Sequence, residues 1–226
     1  MATIVFSQFG TLNGFTTVNT SPGGSITATG GAAVIDRTGA GTNDDDMGLY
    51  RTNAVTAVIG QVIYIDFKLS AITLPSGSHG YILLKDATGI AKSTGGTFQV
   101  GINLQGVNPT KIRTWAGAVA GGSNINMAAD TWYTGRFTID GAGDCQVDAK
   151  LRSDVSYTNI GTLAGITVAG ASTRIAWQYR NDAEFMYVDN FFWTTDGTIS
   201  PIVNDVVTPI KGMRNNQFRR SGGRFK

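Results

Sequence analysis

Two stretches decide the fold: Gln61-Val-Ile-Tyr-Ile-Asp-Phe-Lys-Leu69 and Cys145-Gln-Val-Asp-Ala-Lys-Leu-Arg152. In the first, Ile63, Ile65, Phe67 and Leu69 fall on one face of an extended chain, and Val62, Tyr64, Asp66 and Lys68 on the other. In the second, Cys145, Val147, Ala149 and Leu151 alternate with Gln146, Asp148, Lys150 and Arg152. A period of two is the pattern of a β-strand with one face against a core.

The same period recurs along the chain. It predicts strands over 3–7, 15–19, 25–29, 32–36, 47–51, 81–86, 98–104, 111–115, 132–140, 173–179 and 185–193. In the last of these both faces are apolar, as in a strand covered on both sides. Turn signals separate the strands: Ser21-Pro-Gly-Gly24, Gly30-Gly31, Pro75-Ser-Gly77, Gly95-Gly96, Gly121-Gly-Ser123 and Gly141-Ala-Gly-Asp144. No stretch has the 3.6-residue period of an amphipathic helix. Short strands at this spacing predict an all-β, antiparallel two-sheet β-sandwich of the jelly-roll type.

The composition agrees. Of 226 residues, 42% are hydrophobic, enough for a large core, and 15% are charged, against about 25% in typical soluble domains. The single cysteine, Cys145, excludes an intrachain disulfide. The opening MATIVFSQFG lacks a basic and then apolar leader, and no apolar run is long enough for a membrane helix. The expectation is a protein made in the cytoplasm, without a signal peptide and without a membrane partner.

Charge is unevenly placed. Lys211, Arg214, Arg219, Arg220, Arg224 and Lys226 give residues 208–226 a charge of +6; subtracting that from the net +2 leaves −4 on residues 1–207. The chain therefore divides into a sandwich domain, 1–199, and an extended basic arm, 200–226, whose composition cannot bury enough apolar surface to order itself. In the arm, Phe218 and Phe225 are expected to anchor in a neighbour's pockets while the arginines pair with carboxylates.

Phe6-Ser-Gln-Phe-Gly-Thr-Leu-Asn-Gly-Phe15-Thr-Thr-Val18 and Gly24-Ser-Ile-Thr-Ala-Thr-Gly-Gly-Ala-Ala-Val-Ile-Asp36 resemble the opening strands of concanavalin A-like lectin/glucanase jelly rolls. Thr131-Trp-Tyr-Thr-Gly-Arg-Phe-Thr-Ile-Asp140, the Cys145 strand and Tyr187-Val-Asp-Asn-Phe-Phe-Trp193 resemble the late strands of that family. The resemblance covers residues 1 to about 195. It implies two antiparallel sheets, often with glycan bound on a concave face, and a structural calcium in some members. The family's glucanases use paired glutamates on one strand, whereas Glu184 is the sole glutamate of this chain.

Catalytic readings are thin. Asp182 and Glu184 could flank a glycosidic bond, but Asn181-Asp182-Ala183 reads as a turn. A Ser-His-Asp set would need His79, which sits in Ser76-Gly-Ser-His-Gly80 and reads as a loop tip. Zinc needs clustered Cys and His. Asp44, Asp45 and Asp46 form an oxygen-rich loop with the ligand chemistry of calcium. Asp189, among aromatics, needs backbone N–H groups or an Arg as partner. Trp115, Trp132, Trp177, Tyr179 and Trp193 are aromatic surfaces on which sugar C–H faces could stack. Trp115 leads because Thr114-Trp115-Ala116-Gly117 places it at a strand end; Trp177 and Tyr179 are the next candidates.

The expectations are therefore of a non-enzymatic protein. The first is a virion structural protein of a bacteriophage, a capsid decoration or tail-fibre component, assembling as a homo-oligomer or on a capsid protein through the arm. The second is a lectin or carbohydrate-binding module using a concave sheet face, with cell-surface glycan as partner. Nucleic acid is not an expected partner, since no nucleic-acid-binding fold accompanies the arm.

Overall fold

The computed structural model describes residues 3–7, 9–20, 23–38, 47–72, 79–90, 99–106, 109–116, 119–179 and 185–194. They form sixteen strands and no helix: β1 (Thr3–Ser7), β2 (Phe15–Asn19), β3 (Ser25–Thr29), β4 (Ala32–Asp36), β5 (Met47–Arg51), β6 (Val55–Thr56), β7 (Val62–Leu69), β8 (His79–Lys85), β9 (Gln99–Gln105), β10 (Lys111–Ala116), β11 (Val119–Asn126), β12 (Tyr133–Ile139), β13 (Cys145–Leu151), β14 (Thr158–Leu163), β15 (Ser172–Tyr179) and β16 (Phe185–Thr194).

The strands make two antiparallel sheets packed as a sandwich. The first runs β14-β13-β12-β7-β16-β4-β3, with β1 also on β16; the second runs β11-β10-β9-β8-β15-β5-β2, with β6 also on β15. Each sheet is closed by a late strand inserted between early ones: β16 lies between β7 and β4, and β15 between β8 and β5.

Alternation sets the core. Ile63, Ile65, Phe67 and Leu69 of β7 meet Phe137 and Ile139 of β12 and Val147 and Ala149 of β13 on the inner face of the first sheet. Ile82 and Leu84, Val100, Ile102 and Leu104, and Ile175, Trp177 and Tyr179 supply the inner face of the second. Gly135 marks one place where the sheets pack closely. A Cβ there would stand 2.7 Å from Ile102 Cδ1.

Three strands depart from the sequence reading. Gly121-Gly122-Ser123 is not a turn but lies within β11, an edge strand pairing with β10 across a register shift. β14, an edge strand of the first sheet, carries one fully buried side chain, Ile160, so it shows no alternation. His79 is not at a loop tip; it opens β8, opposite Gln105. The Gly141–Asp144 turn is as read: Asp140 Oδ1 accepts from the N–H groups of Ala142 (2.9 Å) and Asp144 (3.0 Å), and Gly143 takes φ +83°.

Candidate functional site

Each sheet has an outward face, and the two differ in chemistry. On the first sheet, Asp66 is buried and saturated. It accepts from Thr134 Oγ1 at 2.6 Å and Asn190 Nδ2 at 2.9 Å, and forms an ion pair with Arg152 at 3.2 Å. Arg152 also reaches Asp189 at 3.7 Å. Asp189 is therefore satisfied in both expected ways, since its Oδ1 also accepts the backbone N–H of Asn190 at 2.7 Å. Asp148, likewise buried, binds Arg136 through Nε (2.9 Å) and Nη2 (2.7 Å), and also accepts from Gln146 and Asn159.

Aromatic rings finish that face. Arg136 lies 4.1 Å from the centre of the Tyr157 ring; Lys68 lies 4.3 Å from that of Tyr187 and 5.6 Å from that of Trp132. Burial pushes the Tyr157 hydroxyl above the usual tyrosine range. This face is a closed network of mutually satisfied charges.

On the second sheet, strand register aligns three outward rungs. One runs Ala176, Leu83, Gly101, Trp115; the next Gln178, Tyr81, Asn103, Arg113; the third Arg174, Lys85, Gln99. Tyr81, Leu83, Lys85, Asn103 and Gln178 are buried although they point away from the other sheet. Tyr81 and Trp115 meet edge to face at 5.2 Å. Between Gln99 and Asn103 the strand offers no side chain: a Cβ on Gly101 would stand 2.0 Å from the Ile82 carbonyl oxygen.

Two acceptors on this face have no protein partner. Gln99 Oε1 and Asn103 Oδ1 are buried without a hydrogen bond. Leaving such a group unmet costs about 1–3 kcal/mol, so their place in the sheet is not explained by stability.

The structure sorts the residues singled out by sequence. Trp115 lies on the outward face of the second sheet, beside Tyr81 and Leu83. Trp177 and Tyr179 do not; they share the inward parity of Ile175 and are fully buried in the core, Trp177 edge-on to Phe9 and Phe191. Their proposed ligand contact is thereby corrected. Trp193 is also core, its Nε1 donating to Gln61 Oε1 at 3.0 Å, and Trp132 belongs to the first sheet's cation-aromatic network. Asp44, Asp45, Asp46, Asp182, Glu184 and the arm residues Lys211, Arg214, Phe218, Arg219, Arg220, Arg224, Phe225 and Lys226 lie outside the described residues. Among the described residues no group of three or more His, Cys, Asp or Glu stands together as a metal site. Gln99, Asn103 and Gln178 were not singled out by the sequence reading.

In fold the sandwich is similar to the jelly rolls of concanavalin A-like, legume-type lectins. Among solved structures, lectin II from Ulex europaeus matches with a TM-score of 0.60 at 10% identity, over 86% of this chain and 100% of that one. The VIP36 exoplasmic/lumenal domain, in a form bound to Ca2+ and Man3GlcNAc, matches with a TM-score of 0.59 at 10% identity, over 85% of this chain and 88% of that one. The carbohydrate recognition domain of Emp46p, in a potassium-bound form, matches with a TM-score of 0.58 at 15% identity, over 87% and 94% respectively. No family model matches the chain, and no curated protein does. At these identities the likeness is one of fold.

Proposed function

We propose that this protein binds carbohydrate on the outward face of the second sheet and does no chemistry on it. The observation that carries this reading is the pair of buried, unpartnered acceptors, Gln99 Oε1 and Asn103 Oδ1, set beside Trp115 and Tyr81. Sugar hydroxyls donate to such acceptors, and the sugar's C–H face stacks on the exposed edge of Trp115, which Tyr81 backs from within. Gly101 lies between the two amides and adds no side chain there, its Cβ direction being taken by the Ile82 carbonyl. The neighbouring folds support the reading, since VIP36 was solved with an oligosaccharide bound and the Emp46p domain is described as one that recognises carbohydrate. The three rungs carry no carboxylate pair of the kind glycoside hydrolysis uses.

The expected virion role draws no support from these neighbours. Its arm, residues 200–226, lies outside the described residues. The glycan reading is tested by a glycan array probed with the full chain and with Asn103→Ala. Binding that the substitution reduces at least tenfold supports it; an array without a single bound glycan overturns it.

A further inference from the structure

The side of the sandwich away from β11 and β14 is built from uncharged sequence. Residues 1–35 hold not one Asp, Glu, Lys, Arg or His, although charged residues make up 15% of the chain; the first is Asp36, at the end of β4. That run supplies β1 to β4, and with them the last strand of each sheet on this side: β3 ends the first sheet and β2 the second. The two are tied together, since Asn19 Nδ2 at the end of β2 donates to the Gly24 carbonyl, just before β3, at 2.8 Å. On the opposite side the two sheets lean on each other: a Cβ on Gly161 of β14 would stand 2.8 Å from Thr114 Cγ2 of β10.

β3 is held in a form that a further strand can join. It pairs with β4 along its whole length, from Ser25↔Asp36 to Thr29↔Ala32. Gly30 and Gly31, at φ +62° and +84°, make the two-residue type I′ turn between them. The pair flanking such a turn is hydrogen-bonded, and bonded pairs alternate along an antiparallel ladder. Thr29, Thr27 and Ser25 therefore bond β4. The N–H and C=O groups of Ile26 and Ala28 face the outer side, where among the described residues no strand lies. Natural sheets guard such edges with lysine, proline or a bulge. β3 has none of these: it is Ser-Ile-Thr-Ala-Thr in unbroken register, with Ser25, Thr27 and Thr29 exposed.

We infer that β3 pairs with β3 of a second copy of this chain, antiparallel and centred on Thr27, so that two first sheets become one. A second copy fits because an uncharged edge does not repel itself and because the register is self-complementary. With Thr27 opposite Thr27 of the second copy, Ile26 stands opposite Ala28, and the outward N–H and C=O groups of the one meet those of the other. The two-fold axis then runs perpendicular to the joined sheet, and both second sheets lie on the same side of it. Their outward faces look the same way, so a surface bearing many glycans is bound bivalently. That last consequence alone rests on the glycan-binding reading.

Sedimentation velocity on the full chain tests this from about 1 μM to about 1 mM, the range suited to an interface smaller than about 1,200 Å². The expected result is a mass that rises with concentration from 23.9 kDa to twice that value. Thr27→Lys sets like charges opposite each other, and Ala28→Pro removes an outward N–H from both copies. Each is expected to weaken the dimer at least tenfold. Thr27→Asp alone should do the same, whereas an equimolar mixture of Thr27→Lys and Thr27→Asp should recover the dimer. An unchanged circular dichroism spectrum is the folding control, and Thr27 is exposed, so its variants remain informative even where Ala28→Pro does not fold. A wild-type chain that stays monomeric to the top of the range overturns the inference. A dimer that no variant weakens also overturns it, since the copies would then meet elsewhere. A mixture no tighter than either variant alone overturns the register centred on Thr27. Glycan binding by a single chain is measured separately, and its failure leaves the pairing of copies untouched.

Discussion

Asn190 donates its side-chain amide to Asp66 Oδ2 at 2.9 Å, joining β16 to β7 across 124 residues of sequence. The bond exists because β16 bulges. In register, Asp189 faces Asp66 but Phe192 faces Tyr64, so β16 uses one residue more than β7. Asn190 takes φ +45°, a left-handed conformation that asparagine tolerates better than most residues. Val188 and Phe191 thereby both reach the core while the Asp189-Asn190 pair serves the outward network.

Asn190→Ala therefore loses a buried hydrogen bond and strains the backbone, at an expected cost of about 2–3 kcal/mol. Asn190→Gly loses the bond but keeps the conformation, and should cost about 1 kcal/mol less. Denaturant midpoints of the two variants check this. Equal losses would mean that the left-handed residue carries no strain.

The same network separates a buried ion pair from a surface one. Asp66→Ala leaves Arg152, about 10% exposed at its side chain, without its nearest anion; the expected loss is about 3–5 kcal/mol. Asp130→Ala breaks the Lys68 pair at 3.4 Å, where the aspartate is 68% exposed, and should cost under about 1 kcal/mol. Urea titrations of both variants would show comparable losses if the Arg152 cluster were only a solvated patch.

Most strands could be read in the sequence because half-buried strands must alternate. The register of β7, β12 and β13 follows directly from Ile63, Phe137 and Val147. The edges could not be read: β14 buries too little to alternate, and glycines in β11 mimic a turn. The site was legible only in part. Trp177 could have been assigned to the core from its parity with Ile175, opposite Arg174 and Gln178. Gln99 and Asn103 alternate with Val100, Ile102 and Leu104, so their outward direction was readable. Their burial was not. An outward amide normally meets water, and only the three-dimensional face shows that these two do not.

Alkaline pH offers a test of core packing at Cys145. The side chain is fully buried, and burial, with Asp140, Asp148 and Asp144 adding to it, pushes the thiol above its usual range. In the unfolded chain the thiol ionises near its ordinary 9.0. The folded chain thus keeps a proton that the unfolded chain gives up, and stability falls as pH rises through that range. Between about pH 8 and about pH 10 the loss from this group should be about 1.4 kcal/mol. Cys145→Ala should lack that part of the loss, and the native thiol should resist alkylation. Identical losses in wild type and variant would show that Cys145 is not the group responsible.

A binding face built from unmet acceptors predicts opposite effects on stability and binding. Asn103 is 1% exposed, and its Oδ1 has no partner in the folded protein. Asn103→Leu replaces it with an apolar group of similar size, which should raise stability by about 1 kcal/mol, because the desolvation penalty disappears. The same change should weaken glycan binding at least tenfold. A structural asparagine would behave otherwise, losing stability on substitution and losing binding only as the fold is lost. Thermal melts and glycan titrations on the one variant distinguish the two. A destabilised Asn103→Leu would mean that the amide is met in the native state, and the argument for a sugar at this position would lose its basis.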